Sequence, residues 1–126
     1  MIRQYTVIVT TTGSDGSATG SAKTKGTVSG EILAIHLDFS AGQAATADTT
    51  IATAHAPVRT ILVTTDTATD GWYQPRAVAH DATGAAVTYD GANELYTCIP
   101  VNDQITISVA QADNNETVTA TILVEQ

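Results

Sequence analysis

Three histidines and thirteen carboxylates are the groups from which this chain would have to assemble a catalytic or metal site. His36 and Asp38 stand two residues apart in a segment of alternating apolar residues. On a strand, positions i and i+2 share a face, so the imidazole and the carboxylate are neighbours. General-base chemistry or metal binding also needs a third group and a cause for activating the imidazole. The segment supplies neither. His55 and His80 each adjoin a loop, and no pair of imidazoles has the spacing of a ligand motif. The expectation is a polar pair on a solvated or interface face.

Asp66, Asp70 and Gly71 faintly resemble a calcium loop. Such a loop needs oxygen ligands at closely alternating positions and a closing glutamate, and Thr67, Ala68 and Thr69 stand in between. A hairpin loop ending in glycine is the better account. No serine lies in a nucleophile-elbow sequence, and no glycine-rich loop precedes a helix. Cys98 is the sole cysteine and lies in an apolar run, so no intrachain disulfide can form and a buried structural thiol is expected. The chain is expected to have no catalytic residue, no cofactor and no metal.

The segment Trp72-Tyr73-Gln74-Pro75-Arg76 carries a different chemistry, that of contact. Trp and Tyr combine large apolar area with a polar tip, and Arg offers a planar fork; these types dominate binding hot spots. One of two adjacent aromatics on a strand must face outward. Core packing is the favoured reading for Trp72, and an interface is the alternative.

The elements that must position these residues are strands. The chain is rich in threonine and poor in Lys, Glu and Leu, and β-branched residues suit a half-buried pleated surface. Residues 3–12 alternate, with Tyr5, Val7 and Val9 on one face. Residues 13–30 read as an exposed loop or edge strand. Residues 31–39 alternate most clearly, placing Leu33, Ile35, Leu37 and Phe39 together against the core. Further strands are expected over 48–54, 58–65 and 72–81, the last with Pro75 at an edge or bulge. The turns Ala82-Thr83-Gly84 and Asp90-Gly91 bracket another. Strands over 94–101, 105–109 and 118–124 close the chain. Eight to ten short strands with no helix between them predict an all-β, single-domain antiparallel β-sandwich over 1–126, jelly-roll or Ig-like.

Thirteen acids against five bases give a net charge of −8, and the only close basic pair is Lys23 and Lys25. Nucleic-acid binding requires many phosphate contacts, so it is excluded, as is attraction to an anionic membrane. No stretch approaches the roughly 20 apolar residues of a membrane span. The opening residues lack a charged n-region followed by an apolar h-region, and synthesis in the cytoplasm without a cleaved leader is expected.

Four segments in this order resemble small structural proteins of tailed phages and prophages: 30–38 (GEILAIHLD), 48–51 (DTTI), 59–62 (RTIL) and 70–76 (DGWYQPR). The likeness spans about Tyr5 to Val124 and is similar to head decoration (cement) proteins. It rests on a pattern of strands and turns and carries no catalytic residue. What it implies is a β-rich protein on the outside of an icosahedral capsid, bound to the major capsid protein and often trimeric. Residues 2–12 would then be available to pair with a neighbouring subunit by strand addition. The interface candidates are Tyr5, Val7, Val9, Trp72, Tyr73 and Arg76. A carbohydrate-binding or receptor-contacting module and a tail-tube or tail-tip component are the alternatives.

Overall fold

The computed structural model of the protein describes residues 1–126 and contains eleven strands and no helix. In chain order they are β1 (Ile2–Thr11), β2 (Ala18–Lys23), β3 (Val28–Phe39), β4 (Asp48–Thr53) and β5 (Thr60–Thr64). They continue with β6 (Gly71–Tyr73), β7 (Ala77–Val78), β8 (Tyr96–Thr97), β9 (Ile99–Asp103), β10 (Ile105–Ala112) and β11 (Glu116–Glu125). One sheet has the order β1-β11-β3-β6, with β9 also paired to β3; the other has the order β2-β10-β4-β5. All pairings are antiparallel.

The pairings are nested. The first strand pairs with the last, β2 with β10, β3 with β6 and β9 together, and β4 with β5. If β6 and β9 count as two halves of one strand, this is one long hairpin of eight strands rolled into two layers. That is the jelly roll, the first of the two expected sandwich types. An Ig-like sandwich would keep its first two strands in one sheet, whereas β1 and β2 lie in different sheets.

The core lies between the layers, where Ile35, Ile51, Ile105, Ile107, Val118, Ile122 and Val124 are fully buried. Burying each such side chain contributes about 1.5–3 kcal/mol. Threonine methyls supplement them: Thr11, Thr24, Thr49, Thr53 and Thr64 are buried. Thr11 keeps its hydroxyl satisfied by donating to the Asp113 carbonyl at 2.6 Å. The Thr24 hydroxyl accepts from the Ile105 amide at 3.1 Å and donates to the Gly26 carbonyl at 2.9 Å.

The alternation expected of β3 is broken by a bulge. Val124 faces Ile32 and Leu123 faces Ala34, so Leu33 has no partner on β11. The extra residue reverses the inward phase. Ile35, Leu37 and Phe39 are buried as expected, but Ile32 takes the core position assigned to Leu33, which is only half-buried. A second irregularity in β5 puts Thr60 opposite Ala52 and Leu62 opposite Ile51, which leaves Ile61 buried and Val63 exposed.

Residues 13–30 contain the edge strand β2 and the start of β3. Within β3, Gly30 has φ +136°, and a Cβ there would lie 2.2 Å from the Glu125 carbonyl oxygen. Only glycine fits that crossing.

The N-terminal run is an integral strand and not a free arm. Every residue from Ile2 to Thr11 has a partner on β11, and Val7 and Val9 are buried in the core. Removing residues 2–12 would strip β11 of one neighbour and open the core along that face. The expected outcome is loss of the cooperative thermal transition, followed by circular dichroism; a truncated chain that melts at the full-length midpoint would contradict this packing.

Candidate interaction surface

The six sequence candidates separate by face. Val7 and Val9, at 4% and 1% exposure, are core residues and unavailable for contact. Tyr5 is half-buried against the core, and its hydroxyl accepts from Gln126 Nε2 at 3.2 Å. Tyr73 also packs on the core. Its neighbour Trp72 points the other way and is 59% exposed, which corrects the favoured core assignment.

Trp72 stands on the outer face of the five-stranded sheet. Register aligns Thr6, Thr121, His36 and Trp72 in one row across β1, β11, β3 and β6. The His36 and Trp72 rings meet edge to face, with centroids 5.0 Å apart and planes at 62°, a preferred aromatic geometry. The His36 ring is thus engaged with an indole, while Asp38, on the same strand, is exposed.

Arg76 has a structural task that sequence did not disclose. β3 pairs with β9 through Ile32 and with β6 from Ile35 onward, which leaves Leu33 and Ala34 without a strand on that side. The Arg76 guanidinium reaches into this gap and donates from Nη1 to the Leu33 carbonyl at 3.0 Å and to the Pro75 carbonyl at 2.8 Å. A side-chain donor thereby takes the place of the missing ladder bond.

Between β6 and β9 the chain leaves the body and returns, and residues 77–98 form an arm. Its base is the two-stranded β7–β8 sheet, with Ala77 opposite Thr97 and Val78 opposite Tyr96. Above it, three segments close a ring of backbone hydrogen bonds. Ala79 N donates to Leu95 O at 2.9 Å, Leu95 N to Val87 O at 2.9 Å, and Val87 N to Ala79 O at 2.8 Å. No residue from 79 to 97 is buried. Tyr89, Leu95 and Tyr96 are 66%, 42% and 63% exposed. The arm therefore has backbone order without a hydrophobic core.

Two aspartates lock its turns. Asp81 Oδ1 accepts from the Thr83 hydroxyl at 2.7 Å, the Thr83 amide at 2.8 Å and the Ala85 amide at 3.1 Å. Asp90 Oδ1 accepts from the Asn93 amide at 2.6 Å and the Ala92 amide at 2.9 Å. Hydrogen bonds to the ionised form hold both carboxyls below the ordinary aspartate value. The turn signals were legible in sequence; what marks an arm is the scarcity of large alternating apolar residues over 79–88.

The remaining sequence candidates are placed as follows. Asp70 Oδ1 accepts from the Phe39 amide at 2.7 Å, and the Asp66 amide donates to Asp48 Oδ1 at 2.9 Å, so these two belong to different tethers. His80 is exposed on the arm, where it bridges to Ala86. Cys98 is half-buried between β8 and β9, less enclosed than expected. His55 is joined to Asp103, a pairing invisible in sequence because 48 residues separate them. No three of His, Cys, Asp or Glu cluster as metal ligands would. No helix is long and apolar enough to cross a membrane.

Two outcomes are expected. Because Asp81 and Asp90 titrate lower when folded than when unfolded, their stabilisation is fully present above about pH 4. It is lost as pH falls through their depressed folded values. In an acid titration followed by ¹H–¹⁵N NMR, the Thr83, Ala85, Ala92 and Asn93 amides should shift while β11 amides hold their positions. Separately, Arg76→Ala should cost about 1 kcal/mol and speed proteolytic cleavage within residues 77–98, whereas Trp72→Ala should leave that cleavage rate unchanged.

In comparisons with known proteins, no family model, no curated protein and no solved structure matches the chain.

Proposed function

We propose that the chain is a non-enzymatic virion structural protein of the capsid-decoration kind, which docks on a major capsid protein through its arm. The observation that carries this reading is residues 77–98, an ordered excursion that buries none of Tyr89, Leu95 and Tyr96. Ordering each residue costs about 1–2 kcal/mol of backbone entropy, and this segment recovers little of it by burial within its own chain. Long excursions from compact domains are usually functional, and exposed large apolar side chains are what a contact surface uses.

Other features agree with this reading. The jelly roll is shared with viral capsid domains, although fold alone does not assign function. No Lys or Arg follows Arg76, and the arm carries Asp81, Asp90 and Glu94. Its partner is therefore a basic or neutral protein surface with an apolar patch. The resemblance, over about Tyr5 to Val124, implies the capsid exterior as the location and a trimer as the state.

Exposed Trp72 favours a second reading, a carbohydrate-binding or receptor-contacting module, since jelly rolls also serve as lectins. Tyr73 is turned inward, however, so Trp72 has no adjacent aromatic with which to form a stacking platform.

The test replaces residues 79–96 by a short glycine-containing turn. The full chain should co-sediment with shells of its major capsid protein, and native mass spectrometry should give a trimer. The shortened chain should keep the thermal midpoint and stay in the supernatant. Undiminished binding by the shortened chain would reject the arm as the docking element. Glycan-array binding abolished by Trp72→Ala would move the assignment to the second reading.

A further inference from the structure

The body of the protein has one cleft, of about 360 Å³. It opens where the two sheets part, between the unpaired edge of β9 and the connection that follows β4. Thr53, His55, Pro57, Arg59, Pro100 and Asp103 are among the residues lining it.

Its charged groups are arranged unequally. Asp103 is fully engaged: Oδ1 accepts from His55 Nδ1 at 2.6 Å and from the Gln104 amide at 2.7 Å, and Oδ2 accepts from the His55 amide at 2.8 Å. This clamp fixes the imidazole plane and commits Nδ1, so the free edge of the ring, Nε2, is the one left without a partner. The backbone of Arg59 is also fixed, since its amide donates to the Thr53 hydroxyl at 2.7 Å and its carbonyl accepts from the Thr53 amide at 2.9 Å. Its guanidinium has no hydrogen bond, and no carboxylate lies within ion-pair distance. Arg59 is one of only five Lys and Arg residues in a chain of net charge −8, so an unclaimed guanidinium beside the only cleft stands out.

We propose that this cleft binds a carboxylate, with the Arg59 guanidinium as its bidentate anchor and the clamped His55 ring beside it in the lining. The arginine fork matches the two oxygens of a carboxylate. Asp103 from β9 and Arg59 from the connection are the only charged residues lining the cleft around the ring. Asp103 is taken up by His55 and the Gln104 amide, so the Arg59 guanidinium is the charged group of the lining that is free to pair. Pro57 and Pro100 give it apolar walls, suited to the carbon skeleton beside a carboxylate. The proposal rests on the cleft alone and is independent of what the arm docks on.

The test uses the full-length protein and sodium acetate, with sodium chloride at matched ionic strength as the control. ¹H–¹⁵N and side-chain NMR should show saturable shifts of the His55 ring and Arg59 guanidinium signals, with affinity in the millimolar range. Arg59→Gln should weaken binding by at least about tenfold, and Arg59→Lys, which keeps the charge and loses the fork, should weaken it by less. A peptide with a free C-terminal carboxylate, compared with its amidated form, distinguishes a chain terminus from a small free acid as the source. Shifts no larger than those in chloride, or affinity unchanged in Arg59→Gln with its thermal midpoint intact, would overturn the site.

Discussion

The pairing of β11 with β1 on one side and β3 on the other is the constraint from which the rest of the molecule follows. Ten residue pairs join β1 to β11, and Val118, Ala120, Ile122 and Val124 place one complete face of β11 in the core with no exposure. With a side-chain period of two, a one-residue slip would exchange that face for Thr117, Thr119 and Thr121. The register is therefore fixed by burial. It brings the chain termini together, where the N-terminal amine donates to Glu125 Oε1 at 2.8 Å. It also aligns the outer row in which His36 meets Trp72.

A single extra residue in β3 organises the opposite edge. The bulge at Leu33 falls where β3 exchanges its β9 partner for β6. A bulge bends a strand and interrupts its ladder, and on this side β9 and β6 pair with β3 on either side of it. The chain uses the interruption to send out residues 77–98, and Arg76 supplies the donor that the Leu33 carbonyl would otherwise lack. Bulge, arginine and arm form one device. An arm inserted in the middle of a strand is anchored at both ends by the sheet, which a loop at the rim of the sandwich would not be.

Much of the body was legible in the sequence because burial on one face writes a period of two. Val7 and Val9, Ile105 to Val109, and Val118 to Val124 all turn inward as their alternation predicts. Legibility failed at the bulges, since an extra residue inverts the phase without changing composition; thus Ile32 replaced Leu33 and Val63 came outside. Trp72 and Tyr73 illustrate another limit. Alternation says that one of them faces out, but which one depends on the register with His36, a residue that their own segment does not contain. The arm was hidden differently. Asp81 to Gly84 and Asp90-Gly91 are sound turn signals, and turn chemistry is the same whether a hairpin lies on a core or projects from it. The His55–Asp103 clamp joins the connection after β4 to the end of β9, brought near by topology alone.

Body and appendages are stabilised by different physics. Apolar burial holds the sandwich together and depends little on pH. Carboxylates that accept several hydrogen bonds hold the arm, through Asp81 and Asp90, and the cleft, through Asp103, whose carboxyl the His55 imidazole and amide likewise keep below its ordinary value. The two appendages also share a strand. β8 ends the arm at Thr97, β9 begins at Ile99, and Cys98 is the one residue between them. β9 has β3 on one side and the cleft on the other. Its ladder with β3 is five residue pairs long, and Ile99 and Val101 turn from it into the core. Positioned there, the His55–Asp103 clamp ties β9, in one sheet, to the connection after β4, in the other.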